Sequence, residues 1–441
     1  MNAKDSLLIL PIIGVMISAV AIYFYDMLEK SGYSLDEFMV EQVQNFKSDL
    51  SGSYYDNATS HVEDETSYQS NFNGSKIAIN VGYDCLDTDS EKICYKLILR
   101  NVEKISSETN SKGLYGIEPV ILPDQVLDSN QIKKVIYAVQ NDRPDIFWLS
   151  SYFSYSSSQR GTTIKLGSNF SKKDMVDATN KLWNKIAEIL NKVPESATDY
   201  EKELFIHDYL VENCAYTRRQ NHGPQVYTAY GCLVNGQAVC EGYSRATQIL
   251  MCALGIECRT ISGTRNTESH MWNIVRLGNE WYHLDVTWDD QEAIKKYNYF
   301  NVTDDIIQKD HKIAVSMSDD PQNYYKEKCY NFTIPKCKSL KENFFNKNSV
   351  KISNSVNLTD DTIPKKLASL KASQKNVLYI QISENLGFER AKNILFANNS
   401  KTLFNHIKAA NNSSANGKPF DMHQFEYSEC KAQNVLAIQL F

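Results

Sequence analysis

Residues 231–290 read GCLVNGQAVCEGYSRATQILMCALGIECRTISGTRNTESHMWNIVRLGNEWYHLDVTWDD, and both fold and chemistry turn on this stretch. Residues 240–254 predict a helix. Ala246, Ile249, Leu250, Ala253 and Leu254 recur at helical spacings and make one apolar stripe. Gly255 follows, where a helix C-terminus favours glycine. Cys240 then falls at the helix N-terminus. Unpaired N–H groups and the positive end of the helix dipole favour a thiolate there, and the thiolate is the nucleophilic form. A structural cysteine buried in the core is the alternative reading of the same position.

The segments 270–277 and 280–288 are rich in aromatic and branched residues. They flank Gly278-Asn279, a two-residue hairpin signal. That turn sets His270 opposite Thr287 and Trp272 opposite Asp285. Side chains alternate faces along a strand, so His270, Trp272, His283 and Asp285 share one face. His270 and Asp285 become diagonal neighbours, within reach of each other. A carboxylate so placed accepts a hydrogen bond from one imidazole nitrogen, fixes its tautomer and stabilises the imidazolium. A three-residue loop would reverse the parity, so the assignment depends on loop length. His283 shares the face but pairs with Ile274, further from the end that a helix N-terminus can approach. It reads as a supporting or structural histidine.

Cys240-Glu241-Gly242-Tyr243-Ser244-Arg245-Ala246, then His270-Met271-Trp272-Asn273, then the nine residues from Trp281 to Asp289 occur in that order. Together they resemble the core of bacterial transglutaminase-like proteins. Tyr299-Phe300-Asn301-Val302-Thr303-Asp304 resembles the segment that follows the aspartate in those relatives. The resemblance implies a papain-like α+β core, a Cys240–His270–Asp285 triad, no metal and no cofactor. It leaves the reaction open, since relatives include cross-linking acyl transferases, peptidases, deamidases and members with no known activity.

The chain is 441 residues long, room for two to four domains. Its formal net charge of −6 argues against a nucleic-acid surface. Residues 6–25, SLLILPIIGVMISAVAIYFY, carry no charge. At ~1.5 Å per residue such a helix spans a hydrocarbon core of about 30 Å. Ala19-Val20-Ala21 resembles a signal-peptide cleavage site, but Ile22-Tyr23-Phe24-Tyr25 continues the apolar run with aromatics suited to the interface. An uncleaved anchor is the expectation, with Lys4 and the amino terminus on the cytoplasmic side. Either way the bulk of the chain lies outside the cytoplasm, at the cell membrane or, if cleaved, secreted. The ten cysteines do not simply follow from this. Setting Cys240 aside leaves an odd number, no group has zinc spacing, and Cys85/Cys94 and Cys329/Cys337 are candidate local disulfides.

The expected organisation is a cytoplasmic N-terminus (1–5), a transmembrane anchor (6–25), a polar spacer (26–72), an α+β domain (73–170), the transglutaminase-like core (171–315) and a C-terminal α/β unit (316–441). In the first folded domain, residues 76–81, 94–99, 145–149 and 162–166 predict strands and 131–140 a helix. The segment from Asp142 to Trp148 resembles one found upstream of the core in bacterial relatives, and packing outranks groove lining as its reading. Ser171 with Asp174 and Thr198 with Glu201 have capping-box spacing and start two helices; His207 in the second reads as structural. An oxyanion helper is sought in the loop before Cys240, in the Cys240 N–H or in Tyr227, Tyr230 or Gln237. Residues 376–382 and 434–440 echo each other as strands around helical stretches near 388–397 and 401–410.

The sequence thus predicts a membrane-anchored extracytoplasmic cysteine acyl-transfer enzyme acting on a protein or peptide substrate, with cell-envelope material in view. The alternative is a non-catalytic envelope protein that uses the same groove for binding. The residues carry no signal of oligomeric state.

Overall fold

A computed structural model of the chain describes residues 79–217, 223–266, 268–290, 297–314 and 332–441. The expected anchor at 6–25 and spacer at 26–72 lie outside the described residues. Among the described residues no helix is long and apolar enough to cross a membrane. The chain divides into two compact units, Met1–Leu277 with Lys312–Pro335 and Gly278–His311 with Lys336–Phe441.

The described part of the first unit opens with two helices, α1 (Val81–Asp84) and α2 (Asp89–Asn101), where strands were expected. Residues 76–78 of the first expected strand lie outside the described residues. Thr88 and Glu91 form a reciprocal capping box that starts α2. Cys94, Tyr95, Ile98 and Leu99 are its buried stripe. A short apolar run fits a strand or a buried helical face equally well, and here the cap decides.

Strands β1 (Ile105–Thr109), β2 (Tyr115–Ile117) and β3 (Val120–Pro123) lead to α3 (Ser129–Asp142). Strands β4 (Leu149–Ser158) and β5 (Gly161–Ser168) follow. The sheet runs β1-β2-β5-β3, and β4 also pairs with β5. Of the expected strand at 145–149 only Leu149 enters β4. Phe147 instead stacks on Tyr230 at 5.1 Å and meets Phe170 edge-on, while Trp148 Nε1 donates to Val102 O at 3.0 Å. This segment is packing.

Asp142, the last residue of α3, is fully buried. Its carboxylate accepts from Gly82 N and Tyr83 N, both at 2.8 Å, and from Tyr95 Oη at 3.1 Å. Burial pushes its pKa up to about 7, against the opposing pull of those three bonds.

Helix α4 (Lys172–Leu190) is capped by Ser171, and α5 (Asp199–Asn213) by a full Thr198/Glu201 capping box. Next come β6 (Ala215–Tyr216), a 3-10 turn (Pro224–Tyr227), α6 (Ala229–Leu233) and β7 (Gln237–Ala238). Then follow α7 (Cys240–Ala253), β8 (Cys258–Arg265) and β9 (Glu268–Leu277). Strands β8 and β9 are antiparallel, with Gly263 opposite His270 and Ile261 opposite Trp272.

The second unit carries β10 (Glu280–Leu284), α8 (Val286–Asp289), β11 (Phe300–Val302) and α9 (Asp304–Ile307). Strand β12 (His311–Ile313) follows. Its Lys312 and Ile313 belong to the first unit, beside β8, where Ala314 N donates to Ser262 O at 3.1 Å. After α10 (Phe344–Asn348) come β13 (Val350–Ile352), α11 (Thr362–Ala372), β14 (Val377–Ile382), α12 (Phe388–Asn411), β15 (Phe425–Cys430) and β16 (Val435–Leu440).

The sheet order is β13-β14-β16-β15, parallel in its first pair and antiparallel in the others. The two echoing strands are thus neighbours, Val377 opposite Gln439 through Gln381 opposite Val435. Leu367, Leu378, Ile380, Leu403, Ile407 and Ile438 form part of one buried core with the helices. The two expected helical stretches are the halves of α12, which passes through Asn399 and Ser400 with φ of 57° and 59°. Lys371 is buried and its Nζ donates to the Ala410 and Asn411 carbonyls at 3.1 and 3.2 Å, a cation placed where the negative end of α12 favours it.

All nine described cysteines are free, so Cys85 and Cys94 are not bridged. Cys94 points into the core from α2 and Cys85 Sγ lies 3.4 Å from Thr333 Oγ1. Cys337 is free as well, and Cys329 lies outside the described residues.

The folded chain holds the Asp142 proton up to about pH 7, whereas an unfolded aspartate releases it near pH 4, at about 3.9. Its contribution is therefore complete at acid pH and lost as pH rises through the folded value. Compared with an Asp142→Asn variant, the wild-type chain should lose stability between about pH 4 and pH 7 and change little above. Denaturant melts across that range test this, and parallel pH curves for the two proteins would refute it.

Candidate active site

Cys240 is the first residue of α7, and Val239 before it supplies no side-chain cap. The N–H groups of that first turn therefore face the thiol end of the helix without a competing side-chain acceptor from Val239. Backbone packing fixes the position. Val239 N donates to Val226 O at 3.0 Å. A Cβ on Gly242 would lie 2.5 Å from Val226 O and 2.8 Å from Ala238 Cβ, so only glycine lets the first turn of α7 come this close to the Pro224–Thr228 turn.

Further along, Tyr243 Oη donates to Cys214 O at 2.8 Å. Arg245 donates to Gln140 O and pairs with Glu241, and Gln248 Nε2 donates to Asn141 O at 2.7 Å. Those two carbonyls lie at the C-terminus of α3, where a helix leaves carbonyls unpaired. The N-terminal α+β region thus anchors the helix that carries Cys240.

Burial separates Cys240 and Cys85 from the other described thiols. Cys240 and Cys85 are partly exposed, and the other seven described cysteines are buried. Burial pushes Cys94 and Cys252 up to about 12 and Cys258 well above its ordinary value, which leaves them as inert thiols. Cys252 is plain core, as expected from its neighbours.

Two contacts give the direction of α7 along the β8–β9 pair. Near the helix C-terminus, Cys252 Sγ lies 3.8 Å from Cys258 O, and Cys258 pairs with Val275. In the middle, Asn273 Nδ2 donates to Ser244 O at 2.9 Å. Continuing in that sense carries the Cys240 end of α7 toward the His270 end of β9. His270 is buried and stacks on Trp272 at 5.8 Å, 13° from parallel. Its partner Gly263 has Lys312 O only 2.2 Å from where a Cβ would sit, so the β8 backbone is tightly covered there.

β9 ends at Leu277, and β10, in the second unit, begins at Glu280, leaving Gly278, at φ 60°, and Asn279 as the two-residue connection expected. The strand that follows is shorter than expected. It stops at Leu284 rather than Trp288, because Asp285 caps α8, its Oδ1 accepting from Trp288 N at 3.2 Å. The expected cross-strand position of Asp285 thus lies just past the end of β10.

Asp285 is fully buried, its N donates to Tyr299 O, and its Oδ2 faces His311 Nε2 at 3.0 Å. His311 is buried in turn, with Nδ1 2.7 Å from Asp310 Oδ1. This histidine was not found by sequence reasoning. It lies outside the three motifs, and a lone His in a polar segment carries no signal of its own.

His283 is buried with Nε2 3.0 Å from Asp304 Oδ1, and burial pushes its imidazole pKa down. His207 is buried on α5 beside Asp208. Tyr230 is buried against Phe147, whereas Tyr227 and Gln237 are exposed. Of the three side chains considered for an oxyanion helper, Tyr230 is therefore a packing residue.

Substituting Gly242 by Ala forces a methyl against backbone oxygens that cannot yield as a side chain would. A destabilisation of about 1–3 kcal/mol is expected, together with a lower rate of Cys240 modification by a thiol reagent at neutral pH. An unchanged melt and unchanged Cys240 reactivity in Gly242→Ala would contradict the close approach described.

No curated protein matches the chain. Two solved structures resemble it in part. A putative cysteine protease from Cytophaga hutchinsonii is 14% identical with a TM-score of 0.21, over 31% of this chain and 61% of that one. A structure described as a TGase is 14% identical with a TM-score of 0.24, over 43% of this chain and 55% of that one. The chain therefore spans less than two thirds of either neighbour, and at these scores neither bears on the reaction. The family comparison is more specific: residues 187–286, which include Cys240, His270 and Asp285, match the transglutaminase-like superfamily.

Proposed function

We propose that the chain is a cysteine acyl-transfer enzyme of transglutaminase-like type, held at the outer side of a cell membrane by residues 6–25 and acting on peptide or carboxamide bonds. The observation that carries this reading is the state of Cys240. It is partly exposed at the start of a buried helix, while seven of the other described cysteines are sealed in the core. In this mechanism the Cys240 thiolate attacks the carbonyl and a tetrahedral oxyanion forms, with the Cys240 N–H as a candidate donor. His270, as imidazolium, protonates the departing amine, and Asp285 orients the imidazole. The resulting thioester passes its acyl group to water or to an amine. Water makes a peptidase or deamidase, and a lysine amine makes a cross-link.

One feature supports the role given to Asp285. A buried carboxylate that accepts from Trp288 N and faces His311 is fixed in orientation before substrate arrives.

The test is acid trapping of the full-length protein during incubation with glutamine-containing peptides, with and without a primary amine, followed by peptide mass analysis. The expected result is an acyl adduct on the Cys240 peptide, absent from Cys240→Ala and formed roughly 100-fold or more slowly in His270→Ala. Release of product with added amine or with water would then assign the acceptor. Turnover unchanged in Cys240→Ala would remove the mechanism. Specific peptide binding without any adduct would favour a binding protein on the same fold.

A further inference from the structure

Within the second unit, three side chains of different kinds converge. His283 lies on β10, Asp304 is the first residue of α9, and Cys337 lies in the segment that leads to the C-terminal sheet. The ligand atoms of the three all lie within 4.8 Å of one another. His283 and Cys337 are buried, while Asp304 keeps a solvent-facing edge, its side chain 17% exposed. The backbone holds the group together. His283 pairs with Val302 of β11, and Asp304 N donates to Cys337 O at 2.8 Å. The Cys337 thiol makes no hydrogen bond among the described residues.

An imidazole, a carboxylate and a buried thiol at this separation are an unusual core but an ordinary donor set for one ion. We propose that His283, Asp304 and Cys337 bind a single divalent transition-metal ion of the zinc class. A nitrogen, oxygen and sulfur set suits zinc and disfavours magnesium and calcium. Zinc bonds of roughly 2.0–2.3 Å would bring the three donors slightly closer to a common centre. The exposed edge of Asp304 leaves a route for water to fill a fourth position. On binding, the Cys337 thiol proton passes to solvent, Nε2 of His283 gives up its hydrogen bond with Asp304, and the imidazole proton resides on Nδ1.

The ion would act as a clip. It would tie β10, two residues before Asp285, to α9 and to the segment entering the C-terminal sheet. Spacing in sequence hides such a site, because the donors come from a strand, a helix start and a distant connector rather than from paired short motifs.

The experiment is titration of full-length, chelator-stripped protein with Co²⁺, followed by Zn²⁺ as competitor. One equivalent of cobalt should produce a thiolate-to-metal charge-transfer band in the near ultraviolet, and zinc should abolish it. The band should be absent from Cys337→Ser and His283→Gln and retained in Cys240→Ser. Zinc should raise the melting temperature of the wild-type protein and leave that of Cys337→Ser unchanged. No band, a band that survives in Cys337→Ser, or a band lost in Cys240→Ser would overturn the proposal. If a variant fails to fold, zinc-edge X-ray absorption of the wild-type protein decides: one sulfur at about 2.3 Å with nitrogen or oxygen near 2.0–2.2 Å supports the site, and a shell without sulfur refutes it.

Discussion

The first turn of α7 lies against the Pro224–Thr228 turn so closely that residue 242 can carry no side chain. Much of the first unit follows from this contact. It sets where Cys240 emerges, leaves its thiol partly open, and starts a helix whose later residues are buried on nearly every side. A helix so enclosed cannot rely on solvent for its polar groups. Arg245 and Gln248 therefore take the last carbonyls of α3, and Ser244 O receives Asn273 from β9. The interlocking holds Cys240 at one fixed point without any covalent tie.

The regions flanking the family-like segment acquire a purpose in this light. In the first unit, α3 ends in the carbonyls that anchor α7, and its buried Asp142 cross-links α1 and α2 at the same corner. In the second unit, the segment bearing Asp285 is bound to the C-terminal sheet. Tyr297 stacks on Phe344 at 3.6 Å and both meet Tyr379 of β14 edge-on. Gln433 donates to Asn298 O at 2.7 Å and accepts from Asn343 at 3.0 Å. Such aromatic clusters and buried amide pairs are worth more together than singly. Each unit thus spends one peripheral region on holding one of the groups that the proposed chemistry needs.

Legibility in the sequence followed how local the determining interaction is. Helix α7, the capped starts of α4 and α5 and the two-residue connection at Gly278-Asn279 depend on neighbours within a few residues, and all could be read directly. Residues 94–99 fit either element because a helical face and a strand look alike over six residues, and the deciding Thr88/Glu91 cap lies upstream of that run. The end of β10 misled for a related reason: Asp285 serves as a helix cap, and a cap can end a strand that composition would extend. The roles of His311, Gln433 and Lys371 rest on partners far along the chain, which no local pattern encodes. Absent bridging of Cys85 to Cys94 belongs with these, since pairing depends on where two helices direct their side chains.

The account stands on an activated Cys240–His270 pair. The most direct measurement is the rate of Cys240 alkylation against pH in the full-length protein, followed by peptide mass so that other cysteines do not report, with His270→Ala in parallel. The account predicts a Cys240 thiolate that persists well below the free-thiol value of about 8.5 and is lost in the His270 variant. A Cys240 that titrates as an ordinary thiol, with the same profile in both proteins, would contradict it.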